Sequence, residues 1–310
     1  MRNVIIPEEI RRTNRTNFLK MSEFQQYTFR SIDRPLTSAE QNEVSSWSSR
    51  TEATAFGAQF TYHYGDFSKD IENCVLSYFD AGTYISNWGV TELVLRFPVT
   101  GLDMEDIASF DTTIWESELK INRKKKYVII HVRIHDEDGS GYQEEDISID
   151  SLLPIRDEIL NGDYRSLYIC WLAAESKKGA MIEEEEDEER EDEWDYDPDY
   201  ESVTPPIPAG MDKLTLAQRK LALFLDLDKS VLKAVAKLSK PKKKTVEPNY
   251  AELLEKMDAV EKDEFLLAIL RGDANLNRTL QRRLKEIGDI TTTEEDDLPR
   301  AKWQDIYKML

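Results

Sequence analysis

A chain of 310 residues with 40% hydrophobic composition holds enough apolar material for one medium and one small core. Its 61 acidic against 41 basic residues give a net charge of -20, which excludes indiscriminate nucleic-acid binding by the chain as a whole. Only Cys74 and Cys170 occur and neither sits in a CxxC pair, while no apolar run approaches the roughly 18 residues of a membrane-spanning helix. A reducing cytoplasm is therefore the expected compartment, with no membrane contact.

In chain order, residues 1–20 carry Arg11, Arg12 and Arg15 among Asn and Thr without the apolar core of a secretory signal, and read as a flexible tail. Phe24 to Phe29 predicts a strand, and Leu36 to Trp47 a helix opened by the capping box Thr37-Ser-Ala-Glu40. Phe56, Phe60, Tyr62 and Tyr64 share one parity, which predicts a half-buried strand over 54–64. Ser68 is placed to cap a helix running to about Phe79, which Gly82 and the Asn87-Trp88-Gly89 turn then interrupt. Leu93, Leu95 and Phe97 alternate as a strand that Pro98 ends. Tyr127 to His135 is the clearest strand, with Val128, Ile130, Val132 and Ile134 on one face. After the turn from Asp136 to Gly141, Ile147 and Ile149 predict a return strand, then Pro154–Leu160 and Tyr164–Ala174 two helices. Strands mixed with short helices, without regular βαβ alternation, predict an α+β domain over 21–180.

From Glu183 to Glu201 there are fourteen Asp or Glu against one Arg, followed by Thr204-Pro-Pro-Ile-Pro208. Such a stretch has little to bury and strong self-repulsion, so 181–210 reads as an acidic, disordered, Pro-containing linker. Residues 211–310 then predict a small all-α domain of six short helices. Thr215-Leu-Ala-Gln218 is a second capping box, and Leu276, Leu280, Leu284 and Ile287 make the most regular stripe, capped by Asp273 and closed by Gly288.

Several segments carry a resemblance. Met21-Ser-Glu-Phe-Gln-Gln-Tyr27, Ile32-Asp-Arg-Pro-Leu-Thr37, Tyr64-Gly-Asp-Phe67, Tyr78-Phe-Asp80 and Asn87-Trp-Gly89, with Glu261-Lys-Asp-Glu-Phe-Leu-Leu267 and Leu280-Gln-Arg-Arg-Leu284, resemble a family of uncharacterised bacterial cytoplasmic proteins. The resemblance implies a bacterial origin and a two-part organisation, and no activity.

Two sets of residues carry candidate chemistry. His131, Arg133 and His135 alternate on one strand and project from one face, an arrangement able to bind or act on a phosphate. A sheet with one wet face needs polar residues at the same positions, and that simpler reading is preferred. The second set is basic: Lys240, Lys242, Lys243 and Lys244 in a loop, and Arg278, Arg282 and Lys285 opposite the leucine stripe. Such faces suit an acidic protein partner or nucleic-acid phosphates. The aromatics Tyr62, Tyr64, Tyr78, Phe79, Tyr84 and Trp88 read as core rather than as a ligand groove. No HExxH, GxxxxGK[ST], GxGxxG or GxSxG motif occurs, and neither cofactor nor metal is expected. The reading drawn from these residues is a non-enzymatic adaptor that recruits a macromolecule through its helical part, masked by the acidic tract. The alternatives are an enzyme acting on a phosphate-containing substrate and an acidic mimic of nucleic acid.

Overall fold

The computed structural model describes residues 23–49, 51, 53–65, 67–102, 104–114, 117–136, 147–185, 204–242, 248–271, 276–290 and 298–310. Seven strands, β1 (Gln25–Arg30), β2 (Gly57–Tyr62), β3 (Ala81–Ser86), β4 (Val90–Pro98), β5 (Thr112–Ile114), β6 (Ser117–Lys124) and β7 (Tyr127–His135), pair antiparallel in one sheet ordered β2-β1-β3-β4-β7-β6-β5. The N-terminal region is thus α+β and the later region helical, as the patterns predict.

Both faces of the sheet's centre are covered, which is why the first eight residues of β4 are buried in succession. On one face Leu93, Leu95 and Phe97 of β4 and Val128, Ile130 and Val132 of β7 meet α4 (Pro154–Leu160) and α5 (Arg165–Glu185), the latter contributing Leu167, Tyr168 and Trp171. On the other, Val90, Val94 and Ile129 lie with α1 (Ser38–Ser45) and α2 (Ile71–Ser77) around Phe29, Phe60, Phe67 and Phe79. Phe29 stacks on Phe79 at 5.0 Å and Phe60 meets Phe67 at 4.8 Å, so the aromatic run is mostly core. Tyr64 and Trp88 are exposed.

Local chemistry explains where expectation and structure part. The expected strand over 54–64 is confined to 57–62, and Phe56 and Tyr64, beyond its ends, are exposed. Asp70, not Ser68, caps α2 by accepting from the Asn73 amide. Gly82 is not a helix breaker but lies inside β3, where glycine is required because a Cβ would meet Val75 at 2.8 Å and Phe29 at 3.0 Å. No return strand forms at Ile147 and Ile149; a 3₁₀ turn over Ile149–Ser151, capped by Ser148, buries Ile149 instead. The hairpin of β5 and β6, absent from the expected elements, is half-buried, with Leu119 and Ile121 inward and Lys120 and Asn122 less buried. A further short helix, α3 (Met104–Ala108), precedes it. Residues 1–20, the turn at 137–141, the acidic tract beyond the end of α5 and Asp273 lie outside the described residues.

The charge boundary at 181–210 is not accompanied by a division of the core. Ile207 and Met211, with Leu221 of α6 (Leu216–Phe224), Val231 and Val235 of α7 (Lys229–Leu238) and Ile306 of α11 (Trp303–Tyr307), belong to the buried cluster of Leu93 and Trp171. Arg165, at the start of α5, donates to the Gly210 and Lys213 carbonyls at 3.1 and 2.8 Å. Three further helices, α8 (Tyr250–Lys256), α9 (Ala259–Arg271) and α10 (Leu276–Ile287), close a smaller cluster on Leu253, Met257 and Leu284. Gly288 follows α10 with Leu253 packed against it, and Asp289, not the glycine, takes the left-handed conformation at φ 50°.

One buried carboxylate ties together the segments around the sheet. Asp80, 1% exposed, accepts the Ile32 and Asp33 amides on Oδ2 at 2.7 and 2.9 Å and two Arg96 N–H groups on Oδ1 at 2.7 and 3.2 Å. Burial pushes its pKa up, but Arg96 and the two amides outweigh burial and hold it below the ordinary carboxylate value. Replacing Asp80 with Asn leaves the Arg96 charge buried without its counter-charge and is expected to cost about 3–5 kcal/mol, read as a lower urea midpoint at pH 7. Because the folded pKa is depressed, that advantage of the natural chain is present above the unfolded carboxylate pKa and shrinks as pH falls through the folded one.

Candidate functional site

His131, Arg133 and His135 alternate along β7 on the face that also carries Ile129, and α2 closes over its inner end. Glu92 of β4 lies directly across from Arg133 and accepts from Arg133 Nη1 at 2.5 Å. Its second oxygen takes His131 Nε2 at 3.0 Å, while Nδ1 lies 3.6 Å from Glu72 Oε2 on α2. Lys124 Nζ approaches the other Glu72 oxygen at 3.4 Å. The three expected residues do share a face, and Glu72 and Glu92, which sequence reasoning missed, determine what His131 and Arg133 do.

Burial works against the His131 imidazolium, but the bonds to Glu72 and Glu92 outweigh it and raise the pKa to about 9. At neutral pH the ring is therefore a cation with both N–H groups turned to carboxylates, unsuited to accept a proton from a substrate. Its geometry is that of a clamp between α2 and the sheet. His135 stands at the strand's end, where its backbone N–H donates to Ser117 Oγ at 3.0 Å. The thiols of Cys74 and Cys170 are both free and buried, and burial pushes each up to about 12, which removes them as nucleophiles. Between the sheet, α4, α5 and α6 a cavity of about 10 Å³ is lined by Leu93, Ile130, Val132, Cys170 and Leu221, space for at most one water molecule and not for a substrate.

The basic residues lie elsewhere. Lys242 Nζ bonds to Asp163 Oδ2 at 2.9 Å, and Arg165 holds the same carboxylate at 2.6 Å. Burial pushes the Asp163 pKa up, yet the Arg165 and Lys242 bonds bring it down to about 2. Lys240 is exposed on the neighbouring segment, whereas Lys243 and Lys244 lie outside the described residues, as does the side chain of Arg278. On α10, Leu284 is buried, Arg282 is exposed and 3.8 Å from Glu286, and Lys285 is half-buried. A larger row comes from α7. Val231, Ala234 and Val235 face the core, which leaves Lys229, Lys233 and Lys237, four residues apart, exposed on the outer side and leading toward Lys240. Their spacing was the available signal for this row.

Among the described residues no His, Cys, Asp and Glu cluster is arranged to hold a metal, and no helix is long and apolar enough to cross a membrane. In comparisons with protein-family models, curated proteins and solved structures, the chain matches none.

The raised pKa gives the clamp a definite pH dependence. Its contribution is full below the unfolded histidine pKa near 6.5 and is lost as pH rises through about 9. Replacing His131 with Gln is expected to lower stability by on the order of 3 kcal/mol at pH 6 and by far less at pH 10, measured by urea denaturation.

Proposed function

We propose that this chain is a non-enzymatic interaction protein of the cytoplasm, an adaptor that recruits or senses an acidic macromolecule through the basic side of its helical region. The observation that carries the reading is α7: its buried Val231, Ala234 and Val235 fix the helix's orientation, so Lys229, Lys233 and Lys237 form an outward row. Lys240 extends that row, and Arg282 adds a second exposed cation on α10. Mounting the row on the main core gives a partner a rigid platform, since little ordering entropy remains to be lost on binding. The preferred partner is a protein with an acidic surface; nucleic acid is the alternative, and salt distinguishes them.

The acidic residues between Glu183 and Glu201 stand in the chain between α5 and α6, so they compete for the same lysines at high effective concentration. Masking follows: a partner must displace the tract. The imidazole clamp on β7 supports the non-enzymatic reading over phosphate chemistry, because His131 is already committed to Glu72 and Glu92.

The test uses the full chain, since α6 and α7 share their core with the sheet. In a tagged pull-down at low and moderate salt, reversing Lys229, Lys233 and Lys237 to Glu is expected to weaken partner retention about tenfold or more, with the far-UV spectrum unchanged. If the partner is a nucleic acid, the same change lowers the slope of log affinity against log salt by about 3. Deleting 183–201 is expected to tighten binding of a model polyanion at low salt. Unchanged retention by the reversed chain overturns the proposal, and loss of a phosphate-directed turnover in a His135→Ala chain would favour the enzyme reading.

A further inference from the structure

The most exposed apolar surface in the described residues belongs to α9. None of its residues is buried, and Val260, Leu266, Leu267, Ile269 and Leu270 are exposed by 68, 58, 49, 58 and 83%. At 100° per residue these five side chains span about half the helix circumference, continuous from Leu266 to Leu270 and joined toward the N-terminal end by half-buried Lys262 and exposed Asp263. The opposite side is fixed inward: Phe265 packs on the Leu253, Met257 and Leu284 cluster, and Glu261 accepts from Arg283 Nε at 2.5 Å. The apolar arc is therefore not a core face seen from the wrong side. It amounts to on the order of 500 Å², as large as the largest patch on an ordinary monomer and usually covered in function.

The edge of the arc identifies the cover. Glu264 and Arg271 are both exposed and stand seven residues apart, two turns along the same edge of the arc. When two such helices lie antiparallel about a two-fold axis near Leu267 and Ala268, Glu264 of each meets Arg271 of the other, and the apolar arcs close on themselves. A single surface that is both apolar and reciprocally charged is what an isologous interface requires. The helix dipoles also oppose, which favours the antiparallel sense.

We infer that two copies of this chain pair through α9, antiparallel, with Leu266, Leu267 and Leu270 at the centre and two Glu264–Arg271 ion pairs at the edges. The pairing is separate from the lysine row on α7 and leaves that row exposed, so the dimer presents two copies of it. Two arcs bury on the order of 1,000 Å² together, the lower bound of specific interfaces, which fits a weak, reversible pairing.

Sedimentation velocity of the full chain from about 1 to 200 µM tests the inference. The natural chain is expected to shift from monomer to dimer across that range, and Leu267→Glu with Leu270→Glu to remain monomeric with unchanged far-UV spectrum and melting temperature. Glu264→Arg alone and Arg271→Glu alone are each expected to weaken pairing about three- to tenfold, and the two changes in one chain to restore it. Because each copy carries a net charge of -20, raising salt screens their repulsion and strengthens this apolar pairing, the reverse of its effect on the lysine row. A natural chain that stays monomeric throughout, or a dimer indifferent to the leucine changes, overturns the inference. Failure to restore pairing in the double charge exchange overturns the antiparallel register. None of these outcomes depends on whether α7 binds an acidic partner.

Discussion

Asp80 is the point on which the two layers of this fold depend. Its carboxylate ends the chain's first excursion, from β1 through α1, β2 and α2, by binding the Ile32 and Asp33 amides that come after β1. It also anchors Arg96 near the end of β4. The network then crosses the sheet: Arg156 of α4 donates to the Arg96 carbonyl at 2.8 Å and to Asp33 at 2.7 Å, while the Tyr127 ring covers the Arg96 guanidinium at 4.4 Å. Two ion pairs, Arg96 with Asp80 and Arg156 with Asp33, are tied together through the Asp33 amide and the Arg96 carbonyl, and sit where an unpaired charge would cost several kcal/mol. The consequence is specificity: β1, β3, β4, β7 and α4 have one mutual arrangement in which the network closes.

A second polar junction performs the same service for the helical part. Arg165 bonds Asp163 through its fork and reaches the Gly210 and Lys213 carbonyls with its remaining donor nitrogen, and Gln218, fully buried, donates to Glu158 at 2.9 Å. These contacts seat α6 and the segment before it against α4 and α5 with satisfied polar groups, and the apolar contacts of Leu221, Val231 and Val235 extend the core beneath the sheet. The lysine row of α7 inherits its orientation from that packing.

Much of this was legible from pattern. The capping boxes at Thr37 and Thr215 are both formed, with the side-chain and backbone bonds reciprocated. Alternation located β7 to the residue, and the stripe of α10 is where it was expected. β6 was missed although Leu119 and Ile121 alternate with Glu118 and Lys120, because its density of charge obscured the period of two. β3 was not: Ala81, Gly82 and Thr83 carry little hydrophobic signal, and only the close approach of Phe29 and Val75 explains them. The role of His131 was hidden for a different reason. Glu92 lies 39 residues earlier and Glu72 earlier still, and no periodicity within β7 reports a carboxylate delivered by strand pairing or by a helix packed above. The charge boundary, finally, was visible in composition, whereas the continuity of the core beneath α6 and α7 depends on long-range packing that charge does not record.

That continuity changes what the acidic tract can do. A tract joining two independent domains would spend much of its time away from either surface. Here α5 runs to Glu185 and Ile207 is already buried, so both attachment points are fixed on one body. The residues between 186 and 203 span at most about 65 Å even when fully extended, which keeps their carboxylates within reach of α7. On the proposed reading, an intramolecular competitor of this kind would set a threshold: a partner would have to offer more than charge, since charge is what the tract already supplies. Shape and apolar contact would then decide between partners of similar acidity, which is how the proposed adaptor, at net charge -20, would select an acidic partner at all.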